Sequence, residues 1–85
     1  MDLPQSSLTL RLFTTQGCHL CEQAEHLLEP WRAQGVSLEL VEITDHPDWV
    51  EQYGVRIPVL QNTRGDELGW PFDAPALAHW LSQSG

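Results

Sequence analysis

Leu8-Thr9-Leu10-Arg11-Leu12-Phe13-Thr14-Thr15-Gln16-Gly17-Cys18-His19-Leu20-Cys21 is the stretch that decides the fold. From Leu8 to Phe13 the chain alternates with period two and carries large side chains, which predicts a strand. Gln16-Gly17 breaks it. Leu20, Ala24, Leu27, Leu28 and Trp31 then fall at i, i+4, i+7, i+8 and i+11, one apolar stripe along a helix. Cys18 and Cys21 therefore stand where strand passes into helix. The unbonded N–H groups of a helix start, with the macrodipole, favour an anion by ~1 to 2 kcal/mol, so Cys18 should hold a thiolate more readily than a free thiol. Cys21, one turn along and on the same face, should be more shielded and suited to attack a mixed disulfide formed at Cys18. The expected roles are nucleophile for Cys18 and resolving thiol for Cys21.

Working outward, Pro30 lies inside the helical stripe and should kink or break it near Glu29, with Gly35 ending it. Val36, Leu38 and Leu40 face one way and Val41 and Ile43 the other, a second strand with apolar cover on both sides toward its end. Asp45 or His46 caps a short helix with Pro47 in its first turn, Trp49, Val50 and Tyr53 on its buried side and Gly54 at its end. Pro58 to Asn62, the turn Thr63-Arg64-Gly65-Asp66, and Glu67 to Trp70 read as a hairpin. Asp73 caps a last helix in which Phe72 and Leu77 hold the staple positions and Leu77, Trp80 and Leu81 face inward, with Ser82 to Gly85 as a fraying tail. The order is β-α-β-α-β-β-α: an α/β fold with a mixed four-stranded sheet and helices on both faces. The first two strands are parallel with a right-handed crossover, and the last two antiparallel. Arg11 conflicts with a central strand. It should either pair with Glu39 or Glu42, or stay wet at the sheet margin because the second helix is too short to cover it.

Eighty-five residues, 41% of them hydrophobic, make one domain spanning 1–85. No apolar run approaches the ~18 residues of a membrane helix, and Met1 to Ser7 lack the features of a secretion signal, so the expected location is cytoplasmic. A formal net charge of −8, with no lysine, argues against nucleic acid as a partner. A bridge between Cys18 and Cys21 closes too short a loop to contribute much stability, which leaves chemistry as the reason for the pair.

The chain resembles the thioredoxin superfamily, and within it the small glutaredoxin-like proteins, from Leu8 to Ser82. The resemblance rests on Cys18-His19-Leu20-Cys21 opening the first helix and on Arg56-Ile57-Pro58 standing where that superfamily begins its third strand with a cis-proline. It implies a cis Ile57–Pro58 bond that offers the Ile57 backbone N–H and C=O to a substrate strand, with Arg56, Ile57 and Pro58 as substrate-binding residues. The family's Gly-Gly-x-x-Asp, which cradles the γ-glutamyl end of glutathione, appears as Gly69-Trp70-Pro71-Phe72-Asp73. Gly69 and Asp73 remain; the second glycine does not. His19-Leu20 replaces the usual proline and aromatic between the cysteines, and Thr15 stands where a lysine is common. With Glu22 and Glu25 close by, Cys18 should be less acidic than in a glutaredoxin with that lysine.

The resemblance implies a thiol–disulfide oxidoreductase of cell redox homeostasis. It would be monomeric, with no bound cofactor, with protein or glutathione disulfides as substrates and glutathione as a candidate co-substrate. Two alternatives stand beside it: a metal or iron–sulfur carrier, and a redox-inactive binding module on the same fold. His19, His26, His46 and His79 lie on separate surface positions and read as neither ligands nor catalysts, and no metal site is expected.

Overall fold

The computed structural model describes residues 8–84. Its elements are β1 (Thr9–Thr14), α1 (His19–Ala33), β2 (Ser37–Glu42), a 3-10 turn (Ile43–Asp45), α2 (Pro47–Tyr53), β3 (Val59–Gln61), β4 (Glu67–Gly69) and α3 (Ala74–Ser84). The sheet order is β2-β1-β3-β4. β1 runs parallel to β2, from Thr9 opposite Ser37 to Thr14 opposite Glu42. It runs antiparallel to β3, with Arg11 opposite Gln61, and β3 pairs antiparallel with β4.

Alternation along β1 sends its side chains to two separate cores. Leu10 and Leu12, with Leu60, pack against Ala24 and Leu28 of α1, Leu77 and Leu81 of α3, and Phe72. Phe13, with Val41 and Val59, packs against Ile43 and Tyr53 on the opposite face, where α2 lies. Leu10, Leu12, Leu28, Leu60 and Leu77 are wholly buried, each stabilising the fold by ~1.5–3 kcal/mol relative to exposure. The two cores hold β1 rigid from both sides, and it is the end of β1 that delivers the chain to the cysteines.

Several expectations give way to packing. α1 does not break at Glu29; it runs through Pro30 to Ala33. Proline removes one bond to the His26 carbonyl, but Trp31 beyond it packs on the α1/α3 core and keeps the last turn in place. Ile43 leaves the strand for the 3-10 turn, where it remains buried. Asp45 belongs to that turn, so the α2 N-cap is His46, without a side-chain bond. Val50 is 45% exposed and Leu40 52%, because α2 has only two turns and β2 is an edge strand. Ser82 to Ser84 continue α3 rather than fraying, while Gly85 and Met1 to Ser7 lie outside the described residues. Asp73 does cap α3: its Oδ1 accepts from the Ala76 N–H at 2.9 Å.

Arg11 meets both halves of its expectation. Its Nε lies 3.4 Å from Glu39 Oε1, and the two side chains remain 55% and 61% exposed. α2 covers only the Phe13 end of that sheet face, so the pair sits in water and contributes at most ~1 kcal/mol. Among the described residues no helix is long and apolar enough to cross a membrane.

Candidate active site

After Thr14 the chain turns through Gly17, whose φ of +78° a side-chain-bearing residue adopts only with strain, and enters α1 at Cys18. Cys18 is the N-cap. Its backbone is extended (φ −87°, ψ 105°), and its Sγ accepts the Cys21 N–H at 3.1 Å, the bond a serine or aspartate oxygen makes in an ordinary cap. The Cys18 carbonyl accepts from the Glu22 N–H at 3.2 Å, closing the first turn. The two sulfurs are joined as a disulfide with their Cα atoms 5.2 Å apart. They differ in access: Cys21 is 2% exposed, whereas Cys18 is only half-buried. An N-cap sulfur already accepting one helix N–H is placed where negative charge is favoured.

Both cysteines open on a groove of about 290 Å³ whose walls include Thr15, Glu22, Glu25, Leu40 and Glu42. Glu42 is held firmly. Its Oε2 accepts from the Thr15 hydroxyl at 2.6 Å and from the Thr44 hydroxyl and N–H at 2.9 and 3.2 Å. These bonds, the Thr15 hydroxyl foremost, lower its pKa below the ordinary carboxylate value, so the groove keeps this charge. His19 is exposed, with Nδ1 4.0 Å from Glu22 Oε1.

The remaining candidates are distributed differently. The Ile57–Pro58 and Trp70–Pro71 bonds are both cis. Pro58 is buried, and its carbonyl accepts from the Trp70 N–H at 3.1 Å. The Ile57 N–H donates to the Tyr53 carbonyl at 3.0 Å, so it serves the end of α2 rather than standing open for a substrate strand. Arg56 lies over the Tyr53 ring, 5.4 Å from its centroid, and its Nη2 is 3.1 Å from Glu67 Oε1. Glu67 also accepts from the Tyr53 hydroxyl at 2.6 Å and from Gln61 Nε2 at 3.3 Å. Burial, then Glu67, pushes the Tyr53 hydroxyl up to about 12. Gly69 is the last residue of β4, opposite Val59. Asp73 lines a second groove of about 450 Å³ with Leu27, Trp70 and Phe72. Arg56, Ile57, Pro58 and Gly69 line neither groove.

The structure thus joins Cys18 to Cys21 and adds Leu40 and Glu42, which sequence reasoning did not assign to the site. Their signal was topological. Parallel pairing sets Thr14 opposite Glu42, so the end of β2 must lie beside the segment that carries Cys18, and ligands gather at the carboxyl ends of parallel strands. Among the described residues no three His, Cys, Asp or Glu side chains converge as a metal ion would need.

The sequence model of a family described as Glutaredoxin-like domain (DUF836) matches residues 9–82. The X-ray structure of target protein XcR50 from X. campestris is 41% identical, covering 89% of this chain and 99% of that one, with a TM-score of 0.79. The solution structure of XcR50, covering 89% of this chain and 95% of that one at the same 41% identity, gives 0.74. A structure of a malarial protein, 10% identical over 92% of this chain and 97% of that one, has a TM-score of 0.65 and shares the fold alone. No curated protein matches.

Proposed function

Because the chain belongs to the glutaredoxin-like domain family and folds as a thioredoxin-like α/β domain, we propose that it is a cytoplasmic thiol–disulfide oxidoreductase working through Cys18 and Cys21. The observation that carries this reading is the asymmetry of the pair: a half-buried N-cap cysteine bonded to one that is 2% exposed. In the reduced protein the Cys18 thiolate, favoured by the helix start and the Cys21 N–H, attacks a substrate disulfide. A Cys18–substrate bond forms as the substrate bond breaks, and one substrate thiol leaves. Cys21 then attacks Cys18, closing the Cys18–Cys21 bridge and releasing the second substrate thiol. Two electrons pass from the dithiol to the substrate, and the two cysteine protons end on the two product thiols.

Burial of Cys21 keeps solvent disulfides from reaching it first and directs it to its neighbour. In a reducing cytoplasm such a bridge is transient, which fits turnover rather than structural bracing. Protein or glutathione disulfides are the candidate substrates, the chain acts as a monomer, and no resident cofactor is required. Docking falls to the rim of the dithiol groove, and the antiparallel register of Phe13 with Val59 brings the Ile57–Pro58 segment to the same end of β1 as a further backbone surface, with Gly69 and Asp73 as candidates for larger substrates.

The test is a pair of single variants assayed on a peptide disulfide. Cys18→Ser should abolish reduction, and Cys21→Ser should retain attack and accumulate a mixed disulfide visible by mass. Multiple turnover by Cys18→Ser would refute the reading.

A further inference from the structure

Resting on that oxidoreductase reading, we infer that the disulfide reaching Cys18 belongs to a positively charged polypeptide segment and not to glutathione. The groove that holds both cysteines is walled by Glu22, Glu25 and Glu42, and the chain has no lysine to offset them. Its four arginines are committed or remote. Arg11 pairs with Glu39 at 3.4 Å, Arg56 with Glu67 at 3.1 Å and Arg64 with Asp66 at 3.2 Å. Arg32, in the last turn of α1, stands fourteen residues beyond Cys18, about 21 Å along the helix, further than its side chain can reach back.

Glutathione carries two carboxylates against one ammonium. This groove would repel the carboxylates, and Asp73, the aspartate that could take the ammonium, lines the second groove and not this one. A lysine- or arginine-rich segment meets the opposite conditions. Leu40, 52% exposed in the groove wall, offers apolar contact to the alkyl stems while the three carboxylates receive the charged heads. The Thr15 and Thr44 bonds fix Glu42 in place, so one of those charges is preorganised. The protein's net charge of −8 steers the same partner from a distance.

The step is the dithiol exchange described above, with the peptide disulfide as the two-electron oxidant and the Cys18–Cys21 dithiol as the reductant. The full-length protein, reduced with a small dithiol and desalted, is mixed with disulfide-linked peptides of one sequence flanked by lysine, glutamine or glutamate, and separately with glutathione disulfide. Closure of the bridge is followed by acid quenching and mass. Each rate is divided by that of the free small dithiol on the same substrate, which removes the effect of flanking charge on the leaving thiol.

The lysine peptide should react at least ~10-fold faster than the glutamate peptide at low salt, with glutathione disulfide at the slow end. That ratio should fall toward one as salt shortens the screening length from ~30 Å at 0.01 M to ~3 Å at 1 M. Glu22→Gln combined with Glu25→Gln should cut the ratio several-fold, and the salt series on the parent protein gives the same reading without relying on a variant's folding. Equal normalised rates, a ratio indifferent to salt, or glutathione disulfide reacting fastest would overturn the inference and leave the oxidoreductase reading standing. Failure of every disulfide to close the bridge would remove both.

Discussion

Replacing Tyr53 by phenylalanine deletes one hydroxyl from a part-buried network and leaves the packing unchanged. The Tyr53 ring stacks on Phe13 with centroids 4.1 Å apart, a contact phenylalanine preserves. What is lost is the 2.6 Å bond to Glu67 Oε2, a charge-assisted interaction of a class that contributes ~1.5–3 kcal/mol, together with a long 3.4 Å bond accepted from Gln52 Nε2. Glu67 retains Arg56 and Gln61, so its carboxylate is not stranded, and the loss should lie near the lower end, ~1.5 kcal/mol. For a domain of this size that is a fall of ~6–12 °C in Tm.

Glu67→Gln removes the charge from the same bond and releases Arg56 as well, adding up to ~1 kcal/mol for a partly exposed pair. The double variant should cost less than the sum, since both act on one bond. The hydroxyl also carries a pH signature. The folded protein holds Tyr53 neutral up to about 12, above the ordinary value of 10.0. Stability from this group is therefore complete below the ordinary value and is lost as pH rises through the folded one; Tyr53→Phe should lack that alkaline loss. Urea and thermal unfolding of the oxidised protein, near neutrality and in alkali, measure both effects. A Tyr53→Phe variant within ~0.5 kcal/mol of the parent, with the same alkaline slope, would refute the argument.

Glu42 supplies the acid counterpart. Its lowered pKa means that its bonds stabilise the fold above the ordinary carboxylate range and cease to do so as pH falls through the folded value, so Glu42→Gln should flatten the acid limb of a Tm-against-pH curve. Asp73→Ala should lose ~0.5–2 kcal/mol with the cap, and amide exchange at Ala76 should quicken. Leu60→Ala, wholly buried against both α1 and α3, should cost ~2–5 kcal/mol in urea unfolding. Leu40→Ala, half in solvent on the edge strand, should fall within ~0.5 kcal/mol, and a large loss there would contradict the edge position of β2.

How far sequence reasoning reached depends on the range of the interaction involved. Period two in β1 and period 3.6 in α1 record which side chains face a core, and a core is required whatever surrounds it, so these elements were legible to within a residue or two. The same holds for Asp73, whose cap bond spans three residues. Pro30 was misread because propensity weighs the missing bond and not the Trp31 contact that holds the following turn. Val50 and Leu40 were misread because hydrophobicity does not reveal how short a helix is or which strand ends at an edge.

At the site the division is the same. Placement of Cys18 and Cys21 at a strand–helix junction needs only local chemistry: an N-cap position, its unbonded N–H groups, and a spacing of one turn. Which charges surround them is a different question. Glu42 reaches the groove across the parallel pairing of β1 and β2, Arg56 is tied to Glu67 eleven residues away, and the Ile57 N–H is taken by Tyr53. The order of residues alone determined that a cysteine pair opens the first helix of an α/β domain, because capping and periodicity act over a few residues. Tertiary packing alone decided that the pair faces carboxylates and Leu40, with no arginine among the described residues that line its groove, because Coulomb and contact forces act through space and depend on which distant segments the sheet sets side by side.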